Sequence, residues 1–202
     1  MTLSHVNLRP NTAIFFAYIN KMPSQNPLLK YQTIGLYVLT AILMVSYGAI
    51  FSLLAEIKNI FGFSATGVGF IGAAAFISGF VAQISLSRYA DLGYGGTMMK
   101  AGLLGCVVGT GWMAFAETLA EWITSRFILG FGAGIIRPAI KRLLVAGDPE
   151  KAGYTLGVLA AYETVGFLIG PAIAALINTW FGLIETFLVL TLLIFLMVPV
   201  VI

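Results

Sequence analysis

Residues 126–138 read RFILGFGAGIIRP, from Arg126 to Arg137 and Pro138, and residues 162–176 read YETVGFLIGPAIAAL, with Glu163 second and Gly166, Gly170 and Pro171 further in. Both are apolar apart from these charges, so each reads as a membrane helix carrying a polar stripe. At 100° per residue, Arg126, Gly130, Gly134 and Arg137 fall within about 80° of one another, and Glu163, Gly166, Gly170 and Ala174 within a similar arc. A guanidinium in the hydrocarbon core costs about 2.5–3.5 kcal/mol even on a lenient insertion scale. Two in one segment therefore predict an interior face, a charged partner or water, and the glycines beside them predict close approach of another backbone. The two stretches imply a lined, polar interior, with positive charge on one helix and negative charge on the other.

Composition points the same way. The chain is 59% hydrophobic and only 9% charged, with a mean hydropathy of +0.98, far outside the soluble globular range. Its apolar segments are long and hold Gly and Pro without alternating polarity, which predicts an all-α integral membrane protein and excludes a barrel. The net charge of +3 is spread over loops and forms no patch for nucleic acid. The single cysteine, Cys106, has no internal disulfide partner and reads as a small packing residue.

Outward from the two striped segments, six spans are expected, at about 33–55, 64–86, 98–116, 122–144, 155–177 and 183–202. Residues 1–32, with Arg9, Lys21 and Lys30 and no acidic residue, read as a retained cytoplasmic tail, and 33–202 as one six-helix transmembrane domain. With the N-terminus inside, Arg9, Lys21, Lys30, Arg88, Lys100, Lys141, Arg142 and Lys151 all fall on the cytoplasmic side, against Lys58 alone outside. The outer loops then hold Glu56, Glu117, Glu121 and Glu185, with Trp122 and Trp180 placed as interfacial anchors.

Three signatures make the chain resemble the N-terminal half of a major facilitator superfamily (MFS) transporter. In that family the loop after the second helix reads GxLADRxGRR. Here it is Ser87-Arg88-Tyr89-Ala90-Asp91-Leu92-Gly93-Tyr94-Gly95-Gly96, keeping Ala90 and Asp91 but losing the basic neighbours. The fourth-helix pattern, an arginine followed by spaced glycines and a proline, appears as Arg126, Gly130, Gly132, Gly134 and Pro138. The fifth-helix pattern GxxxGPxxGG appears as Gly166, Gly170, Pro171, Ala174 and Ala175.

The resemblance implies an MFS-type half bundle in the cell (inner or plasma) membrane that moves a small solute by alternating access, with proton-coupled antiport or efflux suggested by the fifth-helix pattern. It implies a cytoplasmic gate role for Asp91, with Arg88 or Lys100 standing in for the missing basic residues, and a place for Arg126 on the cavity or beside a coupling carboxylate. Arg137 either binds an anionic substrate or snorkels to the inner interface beside Lys141 and Arg142. Glu163 either couples protons and contacts substrate or forms a fixed ion pair with Arg126. Gly130, Gly134, Gly166 and Gly170 are expected to pack helices closely, and Pro138 and Pro171 to bend them.

The partners expected are the lipid bilayer, a small-molecule substrate with protons, and the half the family pattern lacks here. That half is either absent from a truncated fragment or supplied by a second chain. A non-transporting scaffold is the competing class. No cofactor, metal, catalytic group or nucleic acid is expected: the one histidine, His5, lies in the tail, and no metal-ligand cluster or nucleophile–base arrangement stands out.

Overall fold

The computed structural model describes residues 27–147 and 149–201, with side chains from residue 31 onward. The expected tail lies outside the described residues up to position 26. The long helices are α1 (Pro27–Phe61), α2 (Ala65–Tyr89), α3 (Gly95–Met113), α4 (Leu119–Gly147), α5 (Ala152–Phe181) and α6 (Leu183–Phe195), followed by the single turn α7 (Val198–Val201).

α1 outruns the expected span at both ends. Proline at the first helical position needs no N–H partner and presets φ. At the far end Glu56, Lys58 and Asn59 continue the helix beyond its apolar stretch, until Gly62 at φ +68° ends it. Ser64 caps α2, accepting a hydrogen bond from Gly67 N at 3.0 Å. Between α2 and α3 a π-helical turn, Ala90–Tyr94, breaks at Gly93, whose φ of +89° suits glycine, and the chain reverses there.

Cross-helix neighbours fix the helix directions. Arg126 meets Ile71, and a Cβ on Gly130 or Gly134 would meet Ala75 or Gly79, so α2 and α4 run parallel. Gly102 lies opposite Gly132, and Gly109 opposite Leu129, so α3 runs antiparallel to α4. Gly166 meets Ala41 and Gly170 meets Val45, so α1 and α5 run parallel. Gly72 lies against Leu54 and Phe51, and Gly79 against Tyr47, so α1 runs antiparallel to α2. The Phe61–Trp122–Phe187 contacts near one end of α1 and the Gly35–Val200 contact near the other make the last segment antiparallel to α1. Successive helices therefore alternate in direction.

Four stretches among the described residues are long and apolar enough to cross a membrane: Tyr31–Phe61, Ala65–Met113, Pro149–Phe181 and Leu183–Val201. The second holds both α2 and α3.

Glycine contacts sort the helices into groups. A Cβ on Gly132 would sit 2.5 Å from Gly102 O, and one on Gly102 2.6 Å from Gly132 O, so α3 and α4 touch backbone to backbone. α2–α4 and α1–α5 are packed as tightly, whereas contacts between these two pairs are sparse. Cys106 is fully buried between α3 and α4. Trp122 corrects one expectation: it is not an interfacial anchor but 1% exposed, wedged between Phe61 and Phe187. It shares a helix face with Ser125, Arg126 and Leu129, all buried in the bundle. Trp180, in contrast, is exposed.

The start of α4 is a capping box. Glu121 Oε2 accepts from Thr118 N at 2.8 Å, Glu117 N at 3.0 Å and Thr118 Oγ1 at 3.0 Å, while Glu121 N donates back to Thr118 Oγ1. These hydrogen bonds, those from the Thr118 and Glu117 backbone first, hold the Glu121 carboxyl below the ordinary glutamate value. A folded-state value below the unfolded one means that the cap contributes above the ordinary value of about 4.3 and is lost as pH falls through the lower folded value. Amide protection over 118–121 is expected to drop in Glu121→Ala at neutral pH. The difference from wild type should shrink as the pH is taken below about 4, and a difference unchanged across that range would refute the cap.

Candidate functional site

The charged residues of the two striped helices meet in the sparse seam between the α1–α5 and α2–α4 pairs. Glu163 on α5 forms an ion pair with Arg137 on α4, Oε1 to Nε at 3.6 Å, with side chains 22% and 28% exposed. That separation is too long for a hydrogen bond. Arg137 also reaches α1, donating from Nη2 to Met44 Sδ at 2.7 Å and lying 5.8 Å from the centre of the Tyr47 ring.

Arg126 lies on the same face of α4 but does not pair with Glu163, correcting one of the two alternatives for that carboxylate. It is 0% exposed. Its Nε donates to Ile71 O at 3.3 Å, and its guanidinium sits 5.6 Å from the centre of the same tyrosine ring. Nη1 and Nη2 meet no hydrogen-bond acceptor among the described residues. Arg137 rather than Arg126 takes the carboxylate because, three turns further along α4, it reaches Met44 of α1, about one turn from Ala41, on which Gly166 of α5 packs.

Tyr47 is the element the sequence did not single out. It is buried at 3% exposure, its hydroxyl donates to Ala75 O at 2.8 Å, and both guanidiniums face its ring. A hydroxylated aromatic in mid-span, in a chain with two intramembrane arginines, was the available signal. Around it Phe51, Phe76 and Phe167 bring rings from α1, α2 and α5 to within 5.9–6.3 Å of one another.

The expected small-residue positions line the flanks of this seam. A Cβ on Gly130 would overlap Ala75 O and Ser78 Oγ, one on Gly134 would overlap Gly79 O, and one on Gly166 would overlap Ala41 O. On Gly170 it would stand 2.5 Å from Val45 O. Pro138 and Pro171 lie within α4 and α5, and both helices continue through them. Pro171 Cδ approaches Gly48 of α1.

At the far end of α2, Asp91 pairs with Arg142 from the last turns of α4. Arg88 meets Tyr89, its Nη2 3.2 Å from Tyr89 Oη and its guanidinium over that ring, while Arg142 is the cation paired with Asp91. Arg142 was counted only as a cytoplasmic charge. Its place at the same membrane edge as Asp91 was the signal that it is within reach. Asp91, Lys141 and Arg142 open onto a shallow cavity of about 450 Å³ shared with Pro149 and Leu156. At the opposite end of the bundle Asn178 on α5 donates to Glu56 on α1.

The Major Facilitator Superfamily profile matches residues 36–202. A Lactococcus lactis protein described as a multi-drug resistance efflux pump PmrA homolog is 33% identical over 115 residues, covering 57% of this chain and 28% of that protein. Multidrug resistance protein MdtG of Dickeya zeae is 29% identical over 170 residues, 82% of this chain and 41% of that protein. This chain therefore spans less than half the length of these relatives. Among solved structures, the human organic anion transporter MFSD10 (TETRAN) superposes with a TM-score of 0.75 at 18% identity, over 93% of this chain and 45% of that one, a likeness of fold. With its profile match running through five of the six long helices and most of α1, the chain belongs to the major facilitator superfamily, a family of membrane transporters.

Proposed function

We propose that the chain forms the six-crossing N-terminal half of a secondary transporter that exports a small solute by alternating access, exchanging it for protons. The observation that carries this is the Arg137–Glu163 pair, partly open in a loosely packed seam between two tightly packed helix pairs. Charges are retained in a membrane where they face water or a ligand. A seam crossed by few backbone contacts can open without disturbing the pairs on either side.

Alternating helix directions favour six crossings, and the excess of Lys and Arg on one side favours a cytoplasmic N-terminus. Glu163 is the proposed proton carrier: protonation removes its attraction for Arg137 and frees that guanidinium. Arg126 supplies fixed positive charge beside Tyr47. Asp91, held by Arg142, is the proposed cytoplasmic gate, and the second half of the cavity is proposed to come from sequence equivalent to the remaining length of the relatives. Gly166, Gly170 and Pro171, set against Ala41, Val45 and Gly48, are proposed to hold α5 on α1 so that this pair moves as one body along the seam. Relatives named for multidrug resistance support efflux as the direction.

Everted membrane vesicles from cells expressing the native polypeptide are expected to accumulate fluorescent aromatic dyes when the lumen is acidic, and to release them when an ionophore collapses the gradient. Movement no greater than in vesicles lacking the protein, with or without the gradient, would leave the scaffold role in possession.

A further inference from the structure

We infer that the seam takes an aromatic organic anion, with Phe51, Phe76 and Phe167 receiving the ring and Arg137 the acidic group. The assignment rests on the seam being the transport site and adds the class of solute to it.

The aromatic half comes from three helices that meet ring to ring. Phe51 to Phe167 is 5.9 Å, Phe51 to Phe76 is 6.1 Å and Phe76 to Phe167 is 6.3 Å between centroids. Phe51 and Phe76 remain 42% and 45% exposed, so the cluster presents ring surface outward instead of filling the core. It runs directly into the charged seam. Phe76 stands edge-on to Tyr47 at 5.4 Å, Tyr47 faces both guanidiniums, and Phe167 lies one helical turn from Glu163. Offset or edge-to-face contacts with such rings favour a flat aromatic ligand over a branched aliphatic one.

Charge decides the sign of that ligand. Arg126 and Arg137 face Tyr47, and Glu163 is the one carboxylate paired in the seam, so the three groups sum to a positive charge. Glu163 stands 3.6 Å from Arg137 Nε and leaves that guanidinium 28% exposed, while Nη1 and Nη2 of Arg126, fully buried, meet no acceptor. Glu56 does not offset this. It is tied to Asn178 and lies five residues beyond Phe51, about 140° around α1. Asp91 is held by Arg142 at the end of α2. A ligand on the phenylalanines thus meets an uncompensated positive field in a low-dielectric setting, which attracts an anion and repels a cation of the same shape.

The native polypeptide in lipid nanodiscs should be titrated calorimetrically with 2-naphthalenesulfonate and with its near-isostere, the trimethyl-2-naphthylammonium cation. The sulfonate is expected to bind at least about tenfold more tightly. Phe76→Leu, which keeps bulk but removes the ring, should weaken it about three- to tenfold, and Arg137→Gln should abolish the preference for the anion. Helical circular dichroism and a monodisperse elution profile show whether each variant is folded, and Phe167→Leu serves if Phe76→Leu is not. Equal binding of both ions, tighter binding of the cation, or no binding of either overturns the assignment. Dye movement in vesicles that persists with no anion preference removes this solute class and leaves the transport reading. Anion binding with no vesicle movement leaves the binding site and removes transport.

Discussion

Gly130→Val is expected to lower the stability of the folded bundle by about 1–3 kcal/mol or more, the range for overpacking a well-packed interior. The cause is geometric. A Cβ at position 130 would overlap Ala75 O and Ser78 Oγ on α2, while Gly79 on that helix already stands against Gly130 O. No side-chain rotation relieves a clash with backbone, so α2 and α4 must separate. Separation also strips the seam, since the Tyr47 hydroxyl is anchored on Ala75 O and Arg126 Nε on Ile71 O. Gly157→Ala is the control: nothing lies within 4 Å of a Cβ there, and it sits inside α5. An alanine in an unobstructed helix interior stabilises by about 0.5–1 kcal/mol over glycine. Unfolding measured by steric trapping in bicelles should move the two variants in opposite directions. Equal values would mean that the close contact of α2 with α4 is not what holds the bundle.

The same contacts show what the sequence makes legible. Helical periodicity placed Arg126, Gly130, Gly134 and Arg137 on one face, and hydropathy gave an all-helical membrane chain, because both depend on spacing within one segment. Partner choice depends on the register between segments, which no periodicity encodes. Thus Glu163 was readable as a carboxylate needing a cation, but not that Arg137 would reach it while Arg126 stays bound to Ile71 O of α2. Asp91 was readable as a helix-end acid, but its partner Arg142 lies 51 positions away. Trp122 misled for a related reason: its position near a span end suits an anchor, and only the packing of α4 against α6 and the end of α1 buries it. The phenylalanine cluster was invisible, because its three members are ordinary apolar residues until α1, α2 and α5 bring them together.

Glu163→Gln is expected to cut gradient-driven dye accumulation at least about tenfold while sparing folding. The substitution keeps the shape of the side chain and removes its one exchangeable charge, so Arg137 is left with Met44 Sδ and the Tyr47 ring. Losing one partner of a fully buried ion pair costs about 3–5 kcal/mol. Here both side chains keep roughly a quarter of their exposure, 28% and 22%, and water can solvate the orphaned guanidinium, so a cost nearer 1 kcal/mol is expected. Coupling is affected differently. A pump driven by protons needs a group that is charged on one side of the membrane and neutral on the other, and glutamine is neutral on both. Exchange of labelled for unlabelled dye without a gradient should therefore survive in Glu163→Gln, since it needs the seam to open but not to move a proton, while accumulation against a dye gradient should vanish. The double variant Glu163→Gln with Arg137→Gln, which removes both members of the pair, should recover stability and not accumulation. Accumulation at the wild-type rate in Glu163→Gln would remove this carboxylate from the coupling step, and loss of exchange together with accumulation would make it a structural clasp between α4 and α5.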